Sequence, residues 1–269
     1  MMALFHGSDE IPDAENVTMP TGVLQRLERR MLMEYAVTRF SGHLVDRFPK
    51  GDGHPVLVLP GFLAGPESTV YLRKFLRRLG YRAYDWRLGR NLGLRPGMEE
   101  ALRVRVQALS AVHGTGVSMI GWSAGGIYAR EIARALPDHT RMVITMGSPF
   151  RGNYKVTRAW KLYQLMNRNE LTAEMMSDTA RREREEPLSV ATTCIYSRTD
   201  GIVPWECCTS LPAPLTENVE VRSTHLGYGH NLETLFVIAD RLSQPEGSWQ
   251  PIAARRSADA GAALAQGPG

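Results

Sequence analysis

V-S-M-I-G-W-S-A-G-G, residues Val117–Gly126, is the stretch whose reading decides the rest of the chain. A short apolar run ends at Gly121, Ser123 stands between Gly121 and Gly125, and Ala124–Ala135 continues with helical spacing. Gly-x-Ser-x-Gly between a strand and a helix is the arrangement of a nucleophile elbow, in which the chain reverses within about one residue. Such a turn forces the serine into strained backbone and leaves room only for glycine at 121 and 125. It lifts the hydroxyl off the sheet edge and points the helix N-terminus at whatever the hydroxyl attacks. The bland alternative is a small serine in an ordinary strand-to-helix turn, and the flanking chain decides between the two.

Upstream, P-V-L-V-L-P-G-F-L-A-G (Pro55–Gly65) reads as a fully buried parallel strand followed by a loop with free backbone N–H groups. Glu67–Gly80 has a helical pattern, Tyr81–Trp86 is a strand candidate, and Met98–Val112 is a second amphipathic helix. The glycine-rich Leu88–Gly97 lacks the order of either phosphate-binding motif and reads as a surface loop near the site. Arg141–Gly147, Leu188–Tyr196 and Glu217–Arg222 are further strands, and Asn231–Leu242 is a closing helix. This alternation implies an α/β fold, a mostly parallel sheet with helices on both faces.

Three segments stand apart. Gly22–Phe40 has the spacing of one amphipathic helix, expected to dock on the main domain, and His43–Phe48 reads as a short edge strand. Between Tyr154 and Pro187 the alternation stops. Trp160, Leu162, Tyr163, Leu165 and Met166 form one apolar face and Leu171, Met175 and Met176 a second, a pattern expected of a helical cap over an active site. Arg181–Glu186 reads as a solvated helix end. The expected division is therefore an N-terminal arm and helix over 1–50, a main domain over 51–245 with its cap at about 150–187, and a flexible tail over 246–269.

In 269 residues there are 32 Lys+Arg against 28 Asp+Glu, a net charge of +4 spread along the chain, not the basic stripe of a nucleic-acid binder. Cys194, Cys207 and Cys208 do not make a disulfide framework. The N-terminus lacks the pattern of a signal peptide, and no apolar run approaches the ~18 residues needed to span a bilayer. The expectation is a cytoplasmic protein without stable membrane insertion, its oligomeric state left open. No histidine pair has metal-ligand spacing, so neither metal nor cofactor is expected.

A serine hydroxyl needs a base, and a histidine serves near neutral pH when a carboxylate holds its tautomer. In this topology the acid and base come from loops at the carboxyl ends of later strands, in the order Ser, Asp/Glu, His. Asp200, with Gly201 letting the loop turn, fits better than Glu206. His225, just past Arg222, fits better than His230 at the start of the closing helix. The oxyanion donors are expected to be the backbone N–H groups of Ala124 and Phe62, and the candidates to line the pocket are Leu63, Trp122, Trp160 and Tyr163.

P-V-L-V-L-P-G-F, G-W-S-A-G-G, G-S-P-F-R-G, S-R-T-D-G-I-V-P and S-T-H-L-G-Y-G together resemble the α/β-hydrolase superfamily, in its lipase/esterase-like branch, over about Pro55–Leu242. Pro60 stands where many lipases carry His. The resemblance implies an α/β-hydrolase fold and a serine hydrolase with Ser123, Asp200 and His225 as nucleophile, acid and base. Its expected substrate is a small-molecule ester with a hydrophobic acyl group. An acyltransferase using the same triad, or a non-catalytic binding protein on the same fold, are the alternatives.

Overall fold

The computed structural model describes residues 12–168, 172, 175 and 177–252. Its frame is a six-stranded, wholly parallel sheet in the order β2-β1-β3-β4-β5-β6. The strands are β1 (Pro55–Leu59), β2 (Arg82–Asp85), β3 (Val117–Trp122), β4 (Thr140–Met146), β5 (Ala191–Tyr196) and β6 (Thr216–Glu220). The helices are α1 (Gly22–Leu27), α2 (Met31–Phe40), α3 (Gly42–Val45), α4 (Val70–Arg78), α5 (Met98–His113), α6 (Ala124–Ala135), α7 (Trp160–Met166), α8 (Asp178–Glu185) and α9 (Leu232–Leu242).

Side chains alternate across the strands and build two cores. On one face Val56, Val58, Ile120 and Ile144 pack with Leu72 and Leu76 of α4 and Leu235 and Ile238 of α9. On the other, Leu57, Leu59, Met119 and Val143 pack with Leu102 and Val106 of α5 and Ala129 and Ile132 of α6. Because the sheet is covered on both sides, the central strands are largely apolar, with β1 apolar and buried at every position. Chemistry is then confined to the loops at the strand ends, where polar groups meet space.

Three segments depart from the sequence reading. His43–Phe48 is not an edge strand: it holds α3 and a turn, whose Val45 and Phe48 pack against the α4/α9 core. The second helix between β4 and β5 is α8, D-T-A-R-R-E-R-E, which begins past the apolar positions expected to form it and ends in the charged run 181–186, a helix end as read from the sequence. Its start is fixed by Ser177, whose side chain accepts from the Ala180 N–H. Of the apolar positions expected there, Leu171 and Met176 lie outside the described residues, as does most of the 246–269 tail and the arm before residue 12.

The third departure is the most informative. Gly22–Phe40 is helical, but a 3₁₀ turn at Glu28–Arg30 divides it, and its polar side faces the domain. Glu28 and Thr38 are buried, while Val23, Leu32, Met33 and Phe40 are among its most exposed side chains. Apolar spacing located the helix and misjudged which face it turns inward. Hydrogen bonds to two loops decide the orientation.

Candidate active site

Ser123 leaves the end of β3 with φ 53° and ψ −122°, a left-handed conformation that costs a non-glycine residue of order 1–3 kcal/mol. Its N–H donates to the Met146 carbonyl (2.9 Å), which locks the elbow to β4. A side chain at Gly121 would collide with the backbone of Gly125 and Gly126, and one at Gly125 with the Leu59 and Pro60 carbonyls. Both glycines are therefore required by close approach of α6 to the sheet. Ala124 opens α6, so its N–H is among those a helix cannot satisfy internally.

The loop after β5 carries Asp200 and the loop after β6 carries His225, exposed by only 3% and 4%. Asp200 Oδ1 accepts from the Ile202 and Val203 N–H groups, both at 2.8 Å, which fixes the carboxylate. Its Oδ2 accepts from His225 Nδ1 at 2.7 Å, which directs the imidazole's Nε2 away from the acid. Trp122, immediately before Ser123, donates from its indole to the His225 carbonyl (3.0 Å) and so couples the histidine loop to the elbow. Burial pulls the His225 pKa down. The Asp200 charge, its hydrogen bond and the nearby Glu28 charge outweigh that and hold the imidazole above its ordinary value.

The rival residues are placed elsewhere. His230 Nε2 donates to the Met31 carbonyl (3.0 Å), and Glu206 belongs to the 3₁₀ turn Trp205–Cys208, where its carbonyl accepts from Arg151.

After β1, the loop with Phe62 is held open by an internal scaffold. Leu63 sits at φ 64°, its N–H donating to the Asn91 carbonyl (2.7 Å), and the Asn91 side chain donates to the Pro60 carbonyl (2.8 Å). Asn91 is fully buried. The Gly-rich loop read from sequence as surface is thus the buttress of the Phe62 loop. The one signal available was a lone Asn amid glycines, a residue suited to bonding local backbone.

A cleft of about 760 Å³ runs past Ser123, lined by Phe62, Ala124, Ile127, Tyr128, Trp160 and Tyr163 among others. The rings of Phe62 and Tyr163 meet edge to face (5.0 Å), and Trp160 stacks on Tyr163 (5.9 Å), so a residue after β1 and two from α7 form one aromatic wall. Leu63 and Trp122 lie outside this lining: Leu63 is partly exposed and the Trp122 indole is committed to the His225 carbonyl. Glu131 also borders the cleft, its pKa raised chiefly by burial. Among the described residues no group of three or more His, Cys, Asp or Glu could hold a metal ion, and no helix is long and apolar enough to cross a membrane.

No family model matches the sequence and no curated protein matches it. Solved structures do. Aspergillus fumigatus lipase B superposes with a TM-score of 0.54 at 18% identity, over 74% of this chain and 55% of its own. The chain thus spans about half the length of that lipase. Bacillus licheniformis lipase BlEst2 superposes at 0.53 with 13% identity, over 74% of this chain and 95% of its own. A monoacylglycerol lipase of Paleococcus ferrophilus gives 0.50 at 14%, over 71% and 96%. At these identities the likeness concerns the backbone. With its parallel six-stranded sheet, helices on both faces and a serine elbow after β3, this chain carries the α/β-hydrolase fold.

Proposed function

We propose that the chain is a serine hydrolase of carboxylic esters, working through an acyl-enzyme intermediate. The observation that carries this reading is the joint placement of a strained Ser123 on an apolar cleft and an imidazole whose Nδ1 is held by Asp200 at 2.7 Å. In the reaction Ser123 Oγ attacks the ester carbonyl while His225 Nε2 takes its proton, and Asp200 stabilises the imidazolium. The N–H groups of Phe62 and Ala124 hold the oxyanion. The imidazolium then returns its proton to the departing alcohol, and a water, deprotonated by the same nitrogen, releases the acid and restores Ser123.

The substrate class follows from the wall of the cleft. Phe62, Tyr128, Trp160 and Tyr163 favour a hydrophobic acyl group over a peptide, and α7 and α8 act as the cap that shields it. Lipases among the structural neighbours are in keeping with this reading.

The test is turnover of p-nitrophenyl esters of graded acyl length, with labelling by a fluorophosphonate. Ester turnover with label on Ser123 alone is the expected result. Turnover that persists with Ser123 unlabelled would move the chemistry to another group.

A further inference from the structure

The 3₁₀ turn between α1 and α2 carries Glu28, an acid exposed by only 7%. Its Oε1 accepts from the Gly201 N–H (2.8 Å) and the His225 N–H (2.9 Å), and its Oε2 from the Leu226 N–H (3.0 Å). One carboxylate thus spans the residue after Asp200, the histidine itself and the residue after it. A second acid, Glu34 on α2, accepts from the Thr224 N–H (3.0 Å), the Ser223 hydroxyl (3.1 Å) and the Asn231 amide (3.2 Å).

The loops are shaped to admit these helices. Gly201 does not have the positive φ expected of a turn glycine. Instead, a Cβ at 201 would come within 2.5 Å of the Leu24 carbonyl of α1, so glycine is needed for close approach. At Gly227 a side chain would strike the Glu34 carboxylate.

We propose that Glu28 is a positioning residue of the catalytic centre: its buried carboxylate, delivered by the N-terminal helices, holds the Asp200 and His225 loops in register. The inference rests on the ester-hydrolase reading for its consequence in turnover, and on geometry alone for its consequence at the imidazole. Carboxylate acceptors make strong hydrogen bonds to backbone N–H groups, and a displacement of ~1 Å in a catalytic group costs on the order of a hundredfold in rate.

Glu28 has a second effect, electrostatic, on the ring it positions. The charged and titratable groups around His225 are Asp200 on the β5 loop, with Cys208 near it, and Tyr228 on its own loop. From the N-terminal helices come Glu28, Glu34 one residue upstream at Thr224, and Arg30, which donates to Thr199 Oγ1 (3.2 Å). Of these, the Asp200 and Glu28 charges favour the protonated ring.

The experiment follows the His225 ring by NMR in the full-length ¹⁵N-histidine-labelled protein, assigned with His225→Ala, and measures p-nitrophenyl ester kinetics beside it. In Glu28→Gln the ring pKa is expected to fall, with kcat down about ten- to a hundredfold and KM little changed. In Glu34→Gln, which leaves the Asp200 and Glu28 charges in place, the ring pKa is expected to stay. Glu28→Asp, which keeps the charge one methylene back, should recover part of both losses. It also serves as the reporter, with smaller shifts in the same direction, if Glu28→Gln does not fold. A ring that titrates as in the wild type, with unchanged kcat, overturns the proposal even if the variant melts earlier. A wild-type protein inert to all esters and to fluorophosphonate would instead remove the hydrolase reading, while the ring titration still decides the role of Glu28.

Discussion

Two aspartate–histidine–serine sets hang from β3, one near each end of the strand. Near its start, Asp52 Oδ1 accepts from His54 Nδ1 at 2.5 Å and His54 Nε2 meets Ser118 Oγ at 2.9 Å. At its exit, Asp200 holds His225 beside the Ser123 elbow. By residue type the two are equal, and by hydrogen bonding the first is the more complete. Yet Ser118 is fully buried and paired within the sheet to both β1 and β4, whereas Ser123 stands strained at a helix N-terminus on the wall of a cleft. The Tyr81 ring packs 4.9 Å from His54, and Arg141 donates to Asp52 (2.8 Å), closing that end. The electrostatics diverge too. Burial, helped by the Arg141 charge, lowers the His54 pKa, while that of His225 is raised. If the exit set is the triad we propose, what singles it out is where its hydroxyl leaves the sheet and what space it meets, more than which three residues touch.

The largest test of that contrast removes each hydroxyl in turn. Ser123→Ala is expected to lower kcat for a p-nitrophenyl ester by roughly four orders of magnitude or more. Ser118→Ala should leave kcat near the wild-type value and cost about 1–3 kcal/mol in urea unfolding, because His54 Nε2 loses its buried partner. Equal losses of activity in the two variants would break the comparison. The acids come next: Asp200→Asn is expected to lower kcat by roughly 10³–10⁴-fold, and Asp52→Asn to leave it near the wild-type value.

The pH response sharpens the same contrast. In the proposed mechanism His225 must be neutral to accept the serine proton, and its pKa is raised, so the acid limb of kcat/KM should lie above pH 6.5. The sign for stability follows from linkage. The His225 contribution is fully present below its unfolded pKa of about 6.5 and is lost as pH rises through the higher folded value. His54 runs the other way, its lowered pKa favouring the neutral ring, so its contribution is lost as pH falls from about 6.5 through the folded value. NMR titration should therefore find the two rings on opposite sides of pH 6.5. Both rings on one side would undo the electrostatic half of the argument.

How much of this could be read in the chain depends on whether the signal is local. The elbow shows in ten consecutive residues because glycine at 121 and 125 is a steric demand of neighbouring backbone, and the strand alternation shows because burial on both faces requires apolar runs. Asp200 and His225 stand out as candidates by their position after strands. Glu28 could not. In sequence it is one acid in L-E-R-R, and its partners at Gly201, His225 and Leu226 lie more than 170 residues away. Asn91 was hidden for the same reason, its role being set by the Pro60 and Leu63 backbone it meets only after folding. The Asp52–His54–Ser118 set escaped because Ser118 lies inside β3, where an apolar-run reading sees only strand.

The smallest expected effect concerns Asp52. Its partial burial works against the charge, but hydrogen bonds from His54 and Arg141 outweigh that and bring its pKa down to about 2. A carboxyl depressed in the folded state contributes stability above its unfolded value of about 3.9, and that contribution is lost as pH falls through about 2. The Asp52 side chain is 52% exposed, so solvent and salt screen most of what the shift implies and the net contribution is below about 1 kcal/mol. Urea unfolding at pH 5 and at pH 2 should show the difference between wild type and Asp52→Asn shrinking as the acid protonates, and shrinking further at high salt. Unlike the exit set, the entrance set would then register only as a modest, screened term in stability, with ester turnover at neutral pH untouched. A neutral-pH loss of turnover in Asp52→Asn, with unfolding unchanged, would mean that the buried set communicates with Ser123 along β3, and the separation drawn between the two ends of the strand would have to be abandoned.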